Sequence, residues 1–222
     1  NINNNQQHHH IPKTTFICAL TDSYYTVCKF GHVNVNNGNY PVLLGTREGS
    51  IFLYNFESTK YQFSEKSYQC NASKNSIVHA TFQTTSKGQY NPGQLHALDE
   101  TGIYIQFKFD SKLKTYELIH KQRLPFMIQD HNKQMHVTSV CELNTLDNRK
   151  TLLSIGTSTD RFALFSYTIS PASMTCICDE KISSKRIVET EHKKGPNAYN
   201  PTLVSLNRTG EWIAVTNVSH LL

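Results

Sequence analysis

The chain has no long apolar run and a modest proportion of charged residues. No stretch of about eighteen consecutive apolar residues occurs, so a membrane-spanning helix of ordinary length is excluded. Apolar residues make up 38% of the sequence and charged residues 18%, which is typical of globular proteins and not of disordered chains. We therefore expect a folded protein with a cytoplasmic location and no direct membrane insertion.

The sequence also lacks the short motifs that mark common active sites. It contains no Gly-x-Ser-x-Gly nucleophile elbow, no phosphate-binding glycine loop and no kinase-type catalytic loop. Its 11 histidines never show His-x-x-x-His spacing. His79, His96 and His136 fall in predicted strands, where we expect structural histidines with satisfied hydrogen bonds. We predict no catalytic residues, no cofactor-binding residues and no cofactor, and therefore no enzyme.

The predicted innermost strands carry apolar residues at the positions that would face a central channel. We interpret these positions, taken together, as too apolar to hold a metal ion or to abstract a proton. These positions are Val78, Ala80 and Phe82 in one strand, and Val137, Ser139 and Cys141 in another.

Metal ligands are equally sparse. Asn34, Asn36 and Asn37 occupy a loop where calcium-binding blades carry aspartates, but amides do not replace the carboxylates that calcium requires. Cys176 and Cys178 are separated by one residue and have no second pair elsewhere, unlike the ligands of a structural zinc site. We predict no metal site. We expect the six cysteines (the remaining ones at 18, 28, 70 and 141) to be reduced and mostly buried in strands.

The charge pattern gives no indication of nucleic-acid binding. The formal net charge is +5, and most basic residues are interleaved with acids, as in segment 181–194; segment 108–123 is more one-sided, with five basic residues against Asp110 and Glu117. A nucleic-acid-binding protein usually shows a denser basic stripe together with a recognition element. We expect protein partners and no nucleic acid.

What the sequence does contain is a repeat. Residues 42–56, 95–109 and 152–167 each read as a short apolar strand, a turn of small polar residues and a second strand ending in aromatics. A fourth copy begins at 212–216. A period of about fifty residues, with several strands in each unit, predicts an all-β protein of the β-propeller class.

The repeat also predicts the organisation of the chain. We expect a disordered low-complexity leader at 1–13 and propeller blades over 14–222, with units at about 16–70, 76–120 and 136–180 and a partial unit at 201–222. This makes about three complete blades plus part of a fourth. Since the smallest common propellers close with about four blades, we expect a fragment of a larger ring.

Two of these units resemble a known type of blade. Residues 31–36 with 41–54, and residues 139–144 with 152–165, are similar to degenerate FG-GAP repeats that carry asparagine in place of aspartate, while residues 209–215 have the character of a WD repeat. The combination resembles the propeller subunits of the KICSTOR complex. The resemblance implies a non-catalytic scaffold that regulates TORC1 signalling with other protein subunits at the lysosomal surface, and for one such subunit a connection to actin.

Three hypotheses about function follow. The first is a protein-interaction scaffold in a multiprotein complex, KICSTOR-like in its role. The second is a trafficking or ciliary coat-type propeller subunit with other partners. The third, from a different class, is a propeller hydrolase or lyase whose site lies in blades outside this sequence.

Overall fold

The structure is a computed structural model in which a defined set of residues is described. These are residues 23–31, 38–60, 62–63, 68–84, 90–110, 112–113, 115–125, 135–144, 150–159, 161–169, 172–181, 202–207 and 213–217. The predicted leader, the asparagine loop at 34–37 and Trp212 lie outside them.

Strands dominate the described part of the chain, which contains no α-helix. The strands are β1 (Tyr25–Phe30), β2 (Asn39–Thr46), β3 (Ser50–Glu57), β4 (Gln62–Phe63), β5 (Tyr68–Asn71), β6 (Ile77–Thr84), β7 (Tyr90–Asp99), β8 (Ile103–Asp110), β9 (Thr115–Arg123), β10 (Val137–Asn144), β11 (Lys150–Thr157), β12 (Arg161–Ile169), β13 (Ala172–Lys181), β14 (Thr202–Leu206) and β15 (Ile213–Asn217). The all-β prediction is confirmed.

Successive strands pair antiparallel into sheets that follow one another along the chain. Blade 1 contains β1, β2 and β3, with β4 and β5 both paired to β3; blade 2 runs from β6 to β9 and blade 3 from β10 to β13. The pair β14–β15 forms a further two-stranded sheet. The first strand of each of these sheets contacts the first strand of the next one, so the first strands lie on the inner side of the arrangement.

The three blades repeat the same irregularity in the first strand. The pairing of the first two strands shifts just before Val27 in blade 1, before His79 in blade 2 and before Ser139 in blade 3. A β-bulge at this point turns two consecutive side chains to the same face of the sheet. Because the register is shared, the paired residues of one blade have equivalent positions in the other two.

Apolar side chains fill the surface between blades 1 and 2, which we call the first seam. They are Leu43, Ile51 and Leu53 of blade 1, Ala72 of the connection, and Ile77, Ala80, Phe82, Leu95, Ala97, Ile105, Phe107 and Tyr116 of blade 2. Burial of one Leu, Ile or Phe side chain contributes about 1.5–3 kcal/mol. A single sheet has no layer of its own to cover these faces, so each blade depends on its neighbour.

Two glycines allow successive blades to approach closely. Gly45 and Gly156 occupy equivalent positions in the second strands of blades 1 and 3. A Cβ atom on Gly45 would lie 2.7 Å from Ile77 Cγ2, and one on Gly156 would lie 2.1 Å from the backbone oxygen of Thr202. The Ser139 hydroxyl donates to that same oxygen at 2.9 Å. Packing between blades therefore requires glycine at both positions.

A buried carboxylate ties the β7–β8 turn to the connection between blades 1 and 2. Asp99 is fully buried, and its Oδ1 accepts hydrogen bonds from Thr101 N, Thr101 Oγ1 and Ile103 N, each at 2.9 Å. Its Oδ2 accepts one from Ser73 Oγ at 2.5 Å. Because these donors satisfy both carboxylate oxygens, the acid can be buried in the turn without an uncompensated loss of hydration.

The prediction that most cysteines are buried is wrong. Cys28 and Cys176 are exposed, whereas Cys70, Cys141 and Cys178 are half-buried, and all five are unpaired. They do lie in strands, as predicted, but Cys28 belongs to the first strand of its blade and Cys176 to the outer strand, where one side of the strand has little cover. Cys18 lies outside the described residues.

The interpretation of the innermost strands is also wrong. Ala80 and Phe82 are buried in the first seam, and Val137 is buried between blades 2 and 3. Val78, which strict alternation would place on the same face as Ala80, packs instead between blades 2 and 3. The bulge in β6 breaks the alternation, so these residues bind neighbouring blades instead of lining a channel.

Two glycines with positive φ provide a matched test of packing at a hairpin turn. Among the described residues, a Cβ atom on Gly38 (φ 69°) would meet no other group within 4 Å, whereas one on Gly49 (φ 83°) would lie 2.3 Å from the backbone oxygen of Ser73. We predict that Gly38→Ala lowers the free energy of unfolding by about 1–2 kcal/mol, the cost of a left-handed conformation. Gly49→Ala should lower it by about 1–3 kcal/mol more, because the blade connection must shift. Chemical denaturation measures both, and equal effects would contradict the packing argument.

Candidate functional site

The surface between blades 2 and 3, the second seam, also contains a buried apolar cluster, but it carries polar side chains at five positions where the first seam is apolar. Register equivalence makes the comparison direct. In the first seam the positions hold Val27, Leu43, Ile51, Leu53 and Phe82. In the second seam the equivalent positions hold His79, His96, Tyr104, Gln106 and Glu142. With Tyr167 of blade 3, these five side chains form what we call the polar seam.

An ion pair joins the two inner strands at one end of the polar seam. His79 Nε2 lies 2.7 Å from Glu142 Oε2, and the two side chains retain 15% and 14% of their exposure. Burial opposes ionisation of Glu142, but the hydrogen bond and charge of His79 outweigh it and hold the pKa of Glu142 below its usual value. The pair therefore places a carboxylate and an imidazole side by side between blades 2 and 3.

A neutral histidine lies next to this pair. His96 is 3% exposed, and burial lowers its pKa to about 4, so the ring is uncharged at neutral pH. Its Nδ1 lies 2.9 Å from the Tyr104 hydroxyl, whose pKa burial holds well above its usual value. His96 Nε2 has no hydrogen-bond partner among the described residues.

The polar seam continues outward through two tyrosines and a glutamine. Tyr167 packs edge-on against His96, with ring centroids 5.5 Å apart, and its centroid lies 5.6 Å from that of Tyr104. Gln106 Nε2 donates a hydrogen bond to the Tyr167 hydroxyl. Gln106 is 1% exposed, and its Oε1 has no partner within the described part of the chain. A buried amide oxygen of this kind costs about 1–3 kcal/mol when it is left unbonded.

A cleft of about 250 Å³ opens where the polar seam reaches the outer strands; we call it the rim cleft. Its lining is Tyr104, His120, Gln122, Tyr167, Ser173 and Met174. His120 Nε2 lies 2.8 Å from Gln122 Oε1, so these two residues orient each other on β9. The cleft thus combines aromatic and thioether surface with amide, hydroxyl and imidazole groups.

The sequence-based view of the histidines is only partly right. His79 and His96 lie in strands and are hydrogen-bonded, but each belongs to the polar seam, and one nitrogen of His96 is unpartnered among the described residues. His136 immediately precedes β10, and its buried Nδ1 lacks a partner in the same part of the chain. The expectation that every one of these histidines is satisfied is therefore wrong.

Sequence reasoning also missed Glu142, Tyr104, Gln106 and Tyr167. A comparison of the repeats position by position would have found the first three. Glu142 occupies the position of Phe82 in the preceding blade, and Tyr104 and Gln106 occupy the positions of Ile51 and Leu53. Within the described residues, no group of three or more His, Cys, Asp or Glu side chains is arranged to hold a metal ion. No helix in that part of the chain is long and apolar enough to cross a membrane. The predicted absence of catalytic, cofactor and metal sites stays a prediction.

Comparison with known proteins identifies the architecture but no relative. No protein-family model and no curated protein matches the chain. The solved C-terminal WD40 domain of Sif2 superposes with a TM-score of 0.52 at 12% identity, over 88% of this chain and 43% of that one. A protein from Lactobacillus plantarum gives 0.50 at 14% identity, over 72% and 42%. The fold is a β-propeller.

A third similar structure is the β-propeller domain of Myceliophteria thermophila Cps50 (Swd1), with a TM-score of 0.48 and 13% identity over 88% of this chain and 50% of that chain. The chain spans about half the length, or less, of these three structures. At such low identity a shared propeller fold does not imply a shared function.

The buried histidine predicts a pH dependence of stability. Below pH 6.5, its ordinary pKa, an unfolded chain protonates His96, whereas the folded propeller does so only near pH 4. The free energy of unfolding should therefore fall as pH decreases through this window, by about 3 kcal/mol in total. The variant His96→Leu introduces the residue type found at the equivalent position of blade 1, Leu43. It should flatten this slope in urea denaturation measured between pH 7 and pH 5.

The control for this experiment is Tyr104→Phe, which removes the partner hydroxyl but keeps the titrating imidazole. We expect it to be less stable than the wild type and to keep the pH slope. An unchanged slope in His96→Leu would show that other groups carry the dependence.

The ion pair predicts energetic coupling between blades 2 and 3. Either His79→Val or Glu142→Leu alone leaves a largely buried polar partner, and each should lower the free energy of unfolding by about 1–3 kcal/mol. The double variant should lose less than the sum, because an apolar pair packs at the equivalent position of the first seam. A double-mutant cycle by chemical denaturation measures the coupling, and strict additivity would rule it out.

Proposed function

We propose that this chain is a non-catalytic protein-interaction scaffold, a propeller subunit of a multiprotein complex. The observation that carries the proposal is a pair of matching bulges on the outer strands of blades 2 and 3. Each bulge turns an isoleucine out to the solvent.

The two bulges lie at equivalent positions. On β9, Leu118 pairs with Phe107 and His120 pairs with Gln106, which leaves Ile119 without a partner residue in the register. On β13, Cys176 and Cys178 pair with Phe165 and Leu164, which leaves Ile177 in the same situation. Phe107 and Phe165 are equivalent in register, so the bulges lie at the same place on two successive blades.

The side chains at these bulges are markedly exposed. Leu118 is 56% exposed, Ile119 49% and Ile177 54%. Isolated exposed aliphatic residues are common, but a group of them on neighbouring elements is typical of a surface that another protein covers. The arrangement supports a protein partner on the outer rim of blades 2 and 3.

Charged residues beside the bulges favour selective association. Lys121 and Arg123 are exposed on the same outer strand as Ile119. Lysine and arginine on an outer strand discourage indiscriminate edge-to-edge pairing with other sheets. A partner that covers this rim must therefore match both the aliphatic groups and the charges.

The more specific form of the proposal rests on the sequence resemblance. The FG-GAP-like and WD-like patterns support a subunit of the KICSTOR type, similar to the integrin-alpha FG-GAP repeat-containing protein or to kaptin. Such a subunit would act in the cytoplasm at the lysosomal surface, held there through its partners, and would regulate TORC1 signalling. A kaptin-like subunit would add contact with actin.

We predict that the rim variant Leu118→Lys/Ile119→Lys loses the partners that affinity purification and mass spectrometry recover with the wild-type protein, by about tenfold or more. Introducing two charges into an aliphatic contact surface opposes its desolvation. The control is Glu117→Lys, which changes the charge of an exposed neighbour on β9 without removing apolar surface. Thermal unfolding should show that all variants remain folded.

The identity of the recovered proteins tests the specific form. KICSTOR components among the partners would support it, whereas coat subunits without any KICSTOR component would refute it in favour of a trafficking propeller. Recovery of no stable partner by the wild-type protein would contradict the scaffold proposal itself and would favour the hydrolase or lyase alternative.

A further inference from the structure

The size of the rim cleft limits what it can hold. Pockets for drug-sized ligands and cofactors measure roughly 300–1,000 Å³, and the rim cleft measures about 250 Å³. A dinucleotide or an extended peptide would not fit inside it. One large side chain would.

The chemistry of the lining points to a neutral aromatic group that carries a hydrogen-bonding atom. The rings of Tyr104 and Tyr167 and the thioether of Met174 provide apolar surface, while Gln122 and His120 provide polar groups. The lining contains no carboxylate and no ammonium group among the described residues, so a charged ligand would lose hydration without gaining a counter-charge. Aromatic rings favour stacked or edge-on contacts with other rings, and thioethers also pack well against them.

Two buried residues that are hydrogen-bonded to the lining tyrosines carry polar atoms without a partner among the described residues. Gln106 and His96 are almost fully buried, Gln106 donates to one lining tyrosine, and His96 bonds to the other. Yet Gln106 Oε1 and His96 Nε2 have no partner among the described residues. The first seam has Leu53 and Leu43 at these two positions, so the fold itself does not require polar groups there.

The exposed rim residues indicate where the aromatic group comes from. His120 and Gln122 of the cleft follow Leu118 and Ile119 on β9. On β13, Met174 precedes the exposed Ile177 by three residues. His120 of the lining directly follows Ile119, so a polypeptide that covers the bulge on β9 reaches the edge of the cleft.

We propose that the rim cleft receives one tyrosine or tryptophan side chain from a partner protein whose adjoining residues cover Leu118, Ile119 and Ile177. The proposal rests on the scaffold function proposed above and names its central contact. Buried aromatic anchors surrounded by weaker contacts usually carry most of the binding energy in such interfaces.

The first experiment uses small molecules that mimic the two side chains. We expect p-cresol and 3-methylindole to bind the wild-type protein in ligand-observed NMR, and toluene, which lacks the polar group, to bind at least threefold more weakly. Ser173→Trp introduces a large ring at an exposed lining position and should weaken p-cresol binding at least tenfold. The control Thr175→Trp places the same ring at an exposed position of β13 outside the lining and should leave binding within twofold.

A second variant provides an independent test if Ser173→Trp does not fold. Gln122→Leu removes the amide of a half-buried lining residue without adding bulk. It should abolish the preference for p-cresol over toluene while toluene binding remains. If p-cresol fails to bind the wild-type protein, or binds Ser173→Trp and Gln122→Leu as it binds the wild type, the proposal is overturned.

Affinity purification of partners then tests the aromatic anchor in the rim cleft separately from the scaffold function. We expect Ser173→Trp to lose the same partners as the rim variant Leu118→Lys/Ile119→Lys, and Thr175→Trp to keep them. If Ser173→Trp retains every partner that the rim variant loses, the rim still acts as a scaffold but the cleft does not receive the anchor. If the wild-type protein has no partners, the scaffold function itself fails, whatever the small molecules do.

Discussion

Contact between successive sheets is the constraint on which the rest of this structure depends. A blade of four strands has two faces and no core of its own, so the residues of the first seam are buried because two successive blades lie against each other. Gly45 and Gly156 allow that approach, since any side chain there would collide with the first strand of the following sheet. Asp99 secures a turn to the connection between blades 1 and 2.

The polar seam meets this requirement with different chemistry from the first seam. Blades 1 and 2 meet through aliphatic and aromatic side chains, which is the simpler way to join two sheets. Blades 2 and 3 meet at the equivalent positions through an ion pair, a neutral histidine, a tyrosine and a glutamine. Apolar residues would pack these positions with less desolvation. Since the polar seam leads to a cleft flanked by exposed aliphatic residues, recognition of a partner gives these residues a role that stability alone does not.

Much of the fold could be predicted because its signals are local. The strand–turn–strand repeat is visible in residues 42–56, 95–109 and 152–167, and each corresponds to the β-hairpin that forms the second and third strands of a blade. The errors arose where a non-local feature intervened. Alternation assigned Val78 and Ala80 to one face, but the bulge before His79 sends them to different seams. The sequence pattern predicted buried cysteines, yet their strands are the edge strands of the sheets. A local sequence pattern does not show whether a strand lies at an edge.

The sequence by itself determined the all-β class, the period of the repeat and the position of its turns, because alternating apolar residues and turn-forming residues act over a few neighbours. Only the tertiary structure decided which residues meet. His79 and Glu142 are separated by 63 residues along the chain and lie 2.7 Å apart, and the rim cleft takes its walls from two different blades. The physical reason is that a seam forms only when two sheets pack together. Its contacts therefore depend on residues of both blades, and neither repeat alone predicts them.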